Sequence, residues 1–108
     1  MIVIRDNIFS KYTKVDKYVF TYPGITDGAK VLYGYLSGLP TGRNFSDKYI
    51  LTSLGISPRT LANRKKELKD AGLILIDQIS PRNYMLFVGT TKKTATEVKE
   101  DWIRANDY

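Results

Sequence analysis

The stretch from Phe45 to Ile76, FSDKYILTSLGISPRTLANRKKELKDAGLILI, sets the architecture, because one set of helix punctuation marks occurs in it twice before the pattern changes. Ser46 is placed to N-cap a helix over Asp47 to Leu54, its hydroxyl accepting from a backbone N–H with no partner inside the helix. Phe45 precedes it, in position to staple onto Ile50. Gly55 ends that helix, since a left-handed C-cap carries no steric penalty for glycine. After Ile56 the marks recur, with Ser57 as N-cap, Pro58 where no N–H is needed, and Ile56 set to staple onto Leu61. The second helix is expected to run to about Ala71, where Gly72 stops it and Leu73-Ile74-Leu75-Ile76 begins a strand. Two helices joined by so short a turn must cross steeply.

At about 100° per residue, Leu61 and Leu68 share one face of the second helix, while Arg59, Asn63 and Lys66 share the opposite one. A helix held by its apolar side and presenting Arg, Asn and Lys outward has the chemistry of a major-groove reader. The plainer alternative is a solvated charged face, but caps, turn and strand arriving in order favour the first. Arg59 can fork onto guanine and Asn63 onto adenine, flanked by Thr60 and Lys66. Ser57, Lys48, Arg64, Lys65, Lys69 and Arg82, with Lys92 and Lys93, are assigned to phosphates or the minor groove. Arg43 lies in the loop before the helix pair, where a phosphate contact and a solvated side chain are equally compatible with the sequence.

The charge distribution agrees with that assignment. The chain of 108 residues carries 17 Lys and Arg against 11 Asp and Glu, a net +6. Residues 43 to 93 hold ten of the basic and four of the acidic side chains, so this span alone accounts for the excess. Positive potential therefore coincides with the helix pair and its hairpin, as a phosphate-facing surface requires.

A chain of this length is expected to form one domain. With no Cys and no His, disulfides, thiol nucleophiles, imidazole bases and nearly every zinc or haem site are excluded. Asp47, Glu67, Asp70 and Asp77 are dispersed among basic residues at spacings that suit ion pairs and caps rather than a metal cluster, so neither an enzyme nor a cofactor is expected. The start, Met1-Ile2-Val3-Ile4-Arg5, has no basic segment leading into a long apolar run, and no stretch is long and uncharged enough to span a membrane. A cytoplasmic location is expected.

Before the helix pair, Ile2-Val3-Ile4 and Tyr18-Val19-Phe20-Thr21-Tyr22 are β-prone, the latter ended by Pro23-Gly24. Lys11, Lys14 and Lys17 between them fit a covering strand and loop or an arm that reaches a partner. Thr26 is positioned to cap a helix from Asp27 to about Ser37, stopped by Gly38 and Pro40, with Ala29, Leu32, Tyr33 and Leu36 at core spacing. Tyr33 and Tyr35 at helical spacing beside Leu are read as core or rim rather than base-stacking. Leu73 to Ile79 and Tyr84 to Val88 are two strands around Ser80-Pro81-Arg82-Asn83, a wing with Arg82 at its tip. The first of these strands is apolar on successive residues, so both its faces are expected to be covered, by the helices and by the N-terminal strand, the C-terminal segment or a second subunit. Thr94 to Glu97 has capping-box spacing before a short C-terminal helix whose Val98 and Trp102, with Ile103 as a further candidate, form a narrow apolar face.

From Val15 to Val88 the chain resembles the winged helix-turn-helix domains of bacterial plasmid and phage replication initiators and related small DNA-binding accessory proteins. The residues that carry the resemblance are Gly28-Ala29-Lys30-Val31-Leu32-Tyr33, Leu54-Gly55-Ile56-Ser57-Pro58-Arg59-Thr60-Leu61, and Lys66-Glu67-Leu68 leading to Ala71-Gly72-Leu73-Ile74. It implies an α+β fold with three core helices, a β-hairpin wing, a short N-terminal strand and a C-terminal helix. It also implies double-stranded DNA binding, with the helix from Pro58 at the major groove and the hairpin on the backbone or minor groove, and no catalysis. Arg64 and Lys65 depart from the small or apolar residues of many relatives; their stems would snorkel along the core edge and deliver charge to phosphates.

The expected layout is a single domain over residues 1–108, with its core at about 15–90, an N-terminal strand or arm at 1–14 and a C-terminal helix at about 94–105. Partners expected are duplex DNA, a second copy joined through the N-terminal strand or the Trp102 helix, and replication or conjugative transfer proteins, but no membrane. The competing class is a protein-interaction module with only weak DNA affinity.

Overall fold

The computed structural model describes residues 2–5, 17–39, 42, 44–81 and 83–106. The Arg43 and Arg82 positions, Pro40 and the 6–16 stretch with Lys11 and Lys14 lie outside the described residues. The elements in order are β1 (Ile2–Arg5), a 3-10 turn (Lys17–Thr21), α1 (Asp27–Gly38), α2 (Asp47–Leu54), α3 (Pro58–Asp70), β2 (Ile74–Ser80), β3 (Asn83–Val88) and α4 (Ala95–Asn106). The fold is α+β, with four α-helices and one three-stranded mixed sheet among the described residues, a layout compatible with a winged helix.

Local chemistry sets the helix ends. The hydroxyls of Thr26, Ser46 and Ser57 accept from the N–H groups of Ala29, Tyr49 and Thr60 at 3.3, 3.1 and 3.2 Å. Each supplies a partner that the first turn of a helix lacks. Gly55 adopts φ 64°, the left-handed cap that turns the chain from α2 into α3. Gly72 does the same at φ 76° before β2.

The sheet has the order β1-β3-β2, with β2 and β3 an antiparallel hairpin and β1 parallel to β3, Val3 opposite Leu86 and Ile4 opposite Phe87. The side chains alternate between its two faces. Val3, Leu86, Val88 and Ile74 meet Leu32, Leu36, Ile50, Leu61 and Leu68 from the first three helices. Ile4, Met85 and Phe87 meet Ala95 and Val98 of α4 on the opposite face, where the Trp102 ring stands edge-on to Phe87 at 5.9 Å. The continuous apolar run of β2 therefore has both faces covered, and the C-terminal helix supplies the second cover. The N-terminal strand contributes differently, by extending the sheet beside β3. Its outer edge receives Gly42, whose N–H donates to the Val3 carbonyl at 2.9 Å, and Asn44, which bridges to Ile2.

One expected strand is a helix. Residues 17–21 form a 3-10 turn, closed by Tyr22 N–H to the Val19 carbonyl at 3.0 Å. Strand preference depends on a partner and a half-buried surface. Here only Val19 enters the core while Tyr18 and Phe20 stay exposed, and β1 occupies the place beside β3. Towards the hairpin tip each strand runs one residue further than expected, Ser80 pairing with Asn83 beyond an irregularity after Gln78, while β2 begins at Ile74 rather than Leu73. Tyr33 is buried in the core, its hydroxyl donating to the Gly89 carbonyl at 2.6 Å. Tyr35 packs half-buried at the core's margin. The C-terminal helix begins as its capping-box spacing indicated, with Glu97 N–H donating to the Thr94 hydroxyl at 3.3 Å and that hydroxyl reaching the Glu97 carboxylate at 3.2 Å.

Candidate functional site

The face of α3 turned away from the core is built by period alone. Leu61 and Leu68 are buried against the other helices and the sheet, which leaves Arg59, Asn63 and Lys66 exposed on the far side. Lys69 is exposed one turn further along, and Lys48 is exposed in the first turn of α2. Among the described residues none of the four cations Lys48, Arg59, Lys66 and Lys69 forms an ion pair. Unpaired cations beside an amide side chain can meet an anionic, hydrogen-bonding surface without first giving up a protein partner.

Other residues assigned to the same surface are engaged within the chain. Lys65 lies in the seam between Leu61 and Leu68; its side chain is 12% exposed and its ammonium binds the Asp47 carboxylate at 2.7 Å. Arg64 is half-buried against α1, its guanidinium so near Gly28 that a Cβ there would sit 2.7 Å from Cζ. The Ser57 hydroxyl, besides capping α3, contacts the Thr60 hydroxyl at 2.9 Å, so both oxygens are tied into the turn. Lys93 pairs with Asp101 of α4, and Lys92 stays exposed beside it. Both belong to the turn after β3, at the end of that strand away from the hairpin tip; Thr90 shapes it by accepting from their N–H groups at 3.2 and 3.0 Å.

Two features around α3 depend on contacts between distant segments. Glu67 accepts from the Thr26 N–H at 3.0 Å and from its hydroxyl at 2.8 Å, placing a carboxylate from α3 over the N-terminus of α1. A carboxylate is stabilised there by the helix dipole and by the unpaired N–H groups. The second is a cleft of about 340 Å³ lined by Asp47, Lys65, Ile76 and Tyr84, between the helix pair and the hairpin. Tyr84 was legible in principle: it shares strand parity with Leu86 and Val88 and so points to the helix side, just beyond the core.

The described acidic side chains of this region are held by separate partners. Asp47 pairs with Lys65, Glu67 with Thr26 and Asp77 with Lys99 at 2.7 Å, and no metal-binding group of carboxylates occurs among the described residues. Asp101 receives Lys93 and, at 2.9 Å, Arg104; the hydrogen bond from Lys93 chiefly holds its carboxyl below the ordinary range, against a smaller opposing effect of burial. No helix among the described residues is long and apolar enough to cross a membrane.

Comparison with known proteins finds no matching family, no matching curated protein and no matching solved structure.

Proposed function

We propose that the chain is a sequence-specific double-stranded DNA-binding protein with a winged helix-turn-helix architecture. Its sites would lie on a plasmid, phage or other mobile element, where it acts as transcriptional regulator, replication initiation factor or transfer-origin accessory protein. The observation that carries the proposal is the exposed row Arg59, Asn63 and Lys66 on a helix whose opposite side is buried. Arg59 and Asn63 read base edges, with Thr60 and Lys66 beside them; Lys48 and Lys69 take phosphates. Arg64 and Lys65 are assigned first to holding α3 in place, given their contacts with Gly28 and Asp47.

A fluorescently labelled random duplex should be retained at low salt and released steeply as salt rises. Retention that is absent at low salt, or unchanged in a Lys66→Ala, Lys69→Ala double variant of α3, rejects the proposal. Selection of bound duplexes from a random pool then identifies the site. Within one chain the Trp102 ring packs on Phe87 and β1 lies between β3 and Asn44, while Ile103 of α4 is exposed. Two copies on half-sites about one helical turn apart are proposed; sedimentation of the DNA complex as a monomer removes the dimer.

A second function has its own observation. Tyr18, Phe20 and Val31 are exposed large apolar side chains on the 3-10 turn and α1. Such residues suit a module that docks replication or conjugation proteins. Duplex binding that is weak at low salt and unaffected by the α3 variants favours the module.

A further inference from the structure

The cleft between the helix pair and the hairpin combines features that a purely structural corner does not need. Its lining joins one cation, Lys65, to the side chain of Ile76 and the ring of Tyr84, which is 42% exposed. The cation is closed off by a single acid, and the two partners are unequally placed: Asp47 is 62% exposed and Lys65 only 12%. If the pair opens, Asp47 is rehydrated where it stands, whereas the Lys65 charge stays at the cleft and needs a new anion there.

An occupant that satisfies this lining carries an anionic oxygen for Lys65 and a carbon framework for Ile76 and Tyr84. A deoxyribose-phosphate has both, and about 340 Å³ admits one such unit. The cleft also lies between α3 and the hairpin, the two elements expected to meet neighbouring grooves, so a backbone strand would pass there.

We propose that this cleft seats one sugar-phosphate of the bound duplex. Lys65 exchanges the Asp47 carboxylate for the phosphate, Tyr84 and Ile76 pack on the sugar, and Asp47 acts as a competing anion that keeps the seat occupied in the free protein. The inference rests on the duplex-binding function proposed above.

The test is a double-mutant cycle with Asp47→Asn, Lys65→Met and the pair together, measured on one duplex over a salt series. Asp47→Asn is expected to tighten binding about two- to fivefold, the worth of one exposed ion pair, and to do so equally on specific and scrambled duplexes. That gain disappears in the Lys65→Met background, and Lys65→Met alone lowers the salt slope by about 0.9. Tyr84→Ala, at an exposed position, loosens all duplexes alike and keeps the test open should Lys65→Met fail to fold.

An Asp47→Asn gain that persists without Lys65, an unchanged slope in Lys65→Met, or unaltered binding in Tyr84→Ala overturns the seat. Deoxythymidine monophosphate at matched ionic strength offers the same unit and should weaken duplex binding by the wild type but not by Lys65→Met; equal competition in the two overturns the seat. Loss of binding in Arg59→Ala with none of the cleft effects refutes the seat alone, whereas no retention of any duplex by the wild type refutes duplex binding itself.

Discussion

Replacing Tyr33 by phenylalanine removes one oxygen and leaves the rest of the buried ring in place. That oxygen donates to the Gly89 carbonyl at 2.6 Å, tying α1, on which α3 rests, to the end of β3. The net worth of a hydrogen bond is about 0.5–1.5 kcal/mol, but an acceptor left dry and unpaired costs about 1–3 kcal/mol. Gly89 is buried, so the larger range applies. A loss of about 1–3 kcal/mol corresponds to a fall in Tm of roughly 5–20 °C for a domain of this size. The assay is urea unfolding followed by the fluorescence of Trp102, the sole tryptophan, with an unchanged m-value showing that the same surface is exposed. Duplex affinity well below the melting temperature should not move. A loss below about 0.5 kcal/mol would refute the buried hydrogen bond and the tie it provides.

Gly89→Ala should be at least as damaging, about 1–3 kcal/mol, because a Cβ there would lie 2.7 Å from the Thr94 carbonyl carbon and 2.8 Å from the Lys93 oxygen, both backbone atoms that cannot turn aside; thermal melting checks it. Ser37→Ala should stabilise by up to about 1 kcal/mol, since the Ser37 hydroxyl is buried without a partner among the described residues and alanine suits a helix better; urea unfolding measures the gain. The lowered carboxyl of Asp101 contributes stability that is complete above its unfolded value of about 3.9 and is lost as pH falls through the still lower folded value. An acid titration of Trp102 fluorescence should therefore show the contribution of Asp101 to α4 docking lost as pH falls below that value, and Asp101→Asn should remove that contribution.

The helix pair was legible because its determinants are local. Ser46, Gly55, Ser57 and Pro58 each act within one turn of themselves, so α2 and the start of α3 fall where those residues indicate. The outward position of Arg59, Asn63 and Lys66 came from helical period in the same way. What escaped depends on distant partners. Whether Tyr18 to Tyr22 pairs as a strand depends on which segment takes the place beside β3, and Ile2 to Arg5, more than 80 residues away from its partners in sequence, takes it. Period alone puts Lys65 in the Leu61 and Leu68 seam, but only the packed fold shows Asp47 waiting at the end of its stem. Arg64 over Gly28 and Glu67 on Thr26 are likewise long-range contacts that no neighbouring residue announces. The α3 face was thus readable as a surface, and the division between its free and engaged cations was not.

The most direct test of that surface compares Arg59→Ala with Lys69→Ala on a selected duplex and on a scrambled one, over a range of salt. Arg59→Ala should cost about 1–3 kcal/mol on the selected duplex, little on the scrambled one, and relax preference at a single base pair. Lys69→Ala should weaken both duplexes equally and lower the salt slope by about 0.9. Equal losses on both duplexes for both variants would contradict base reading by the outward face of α3.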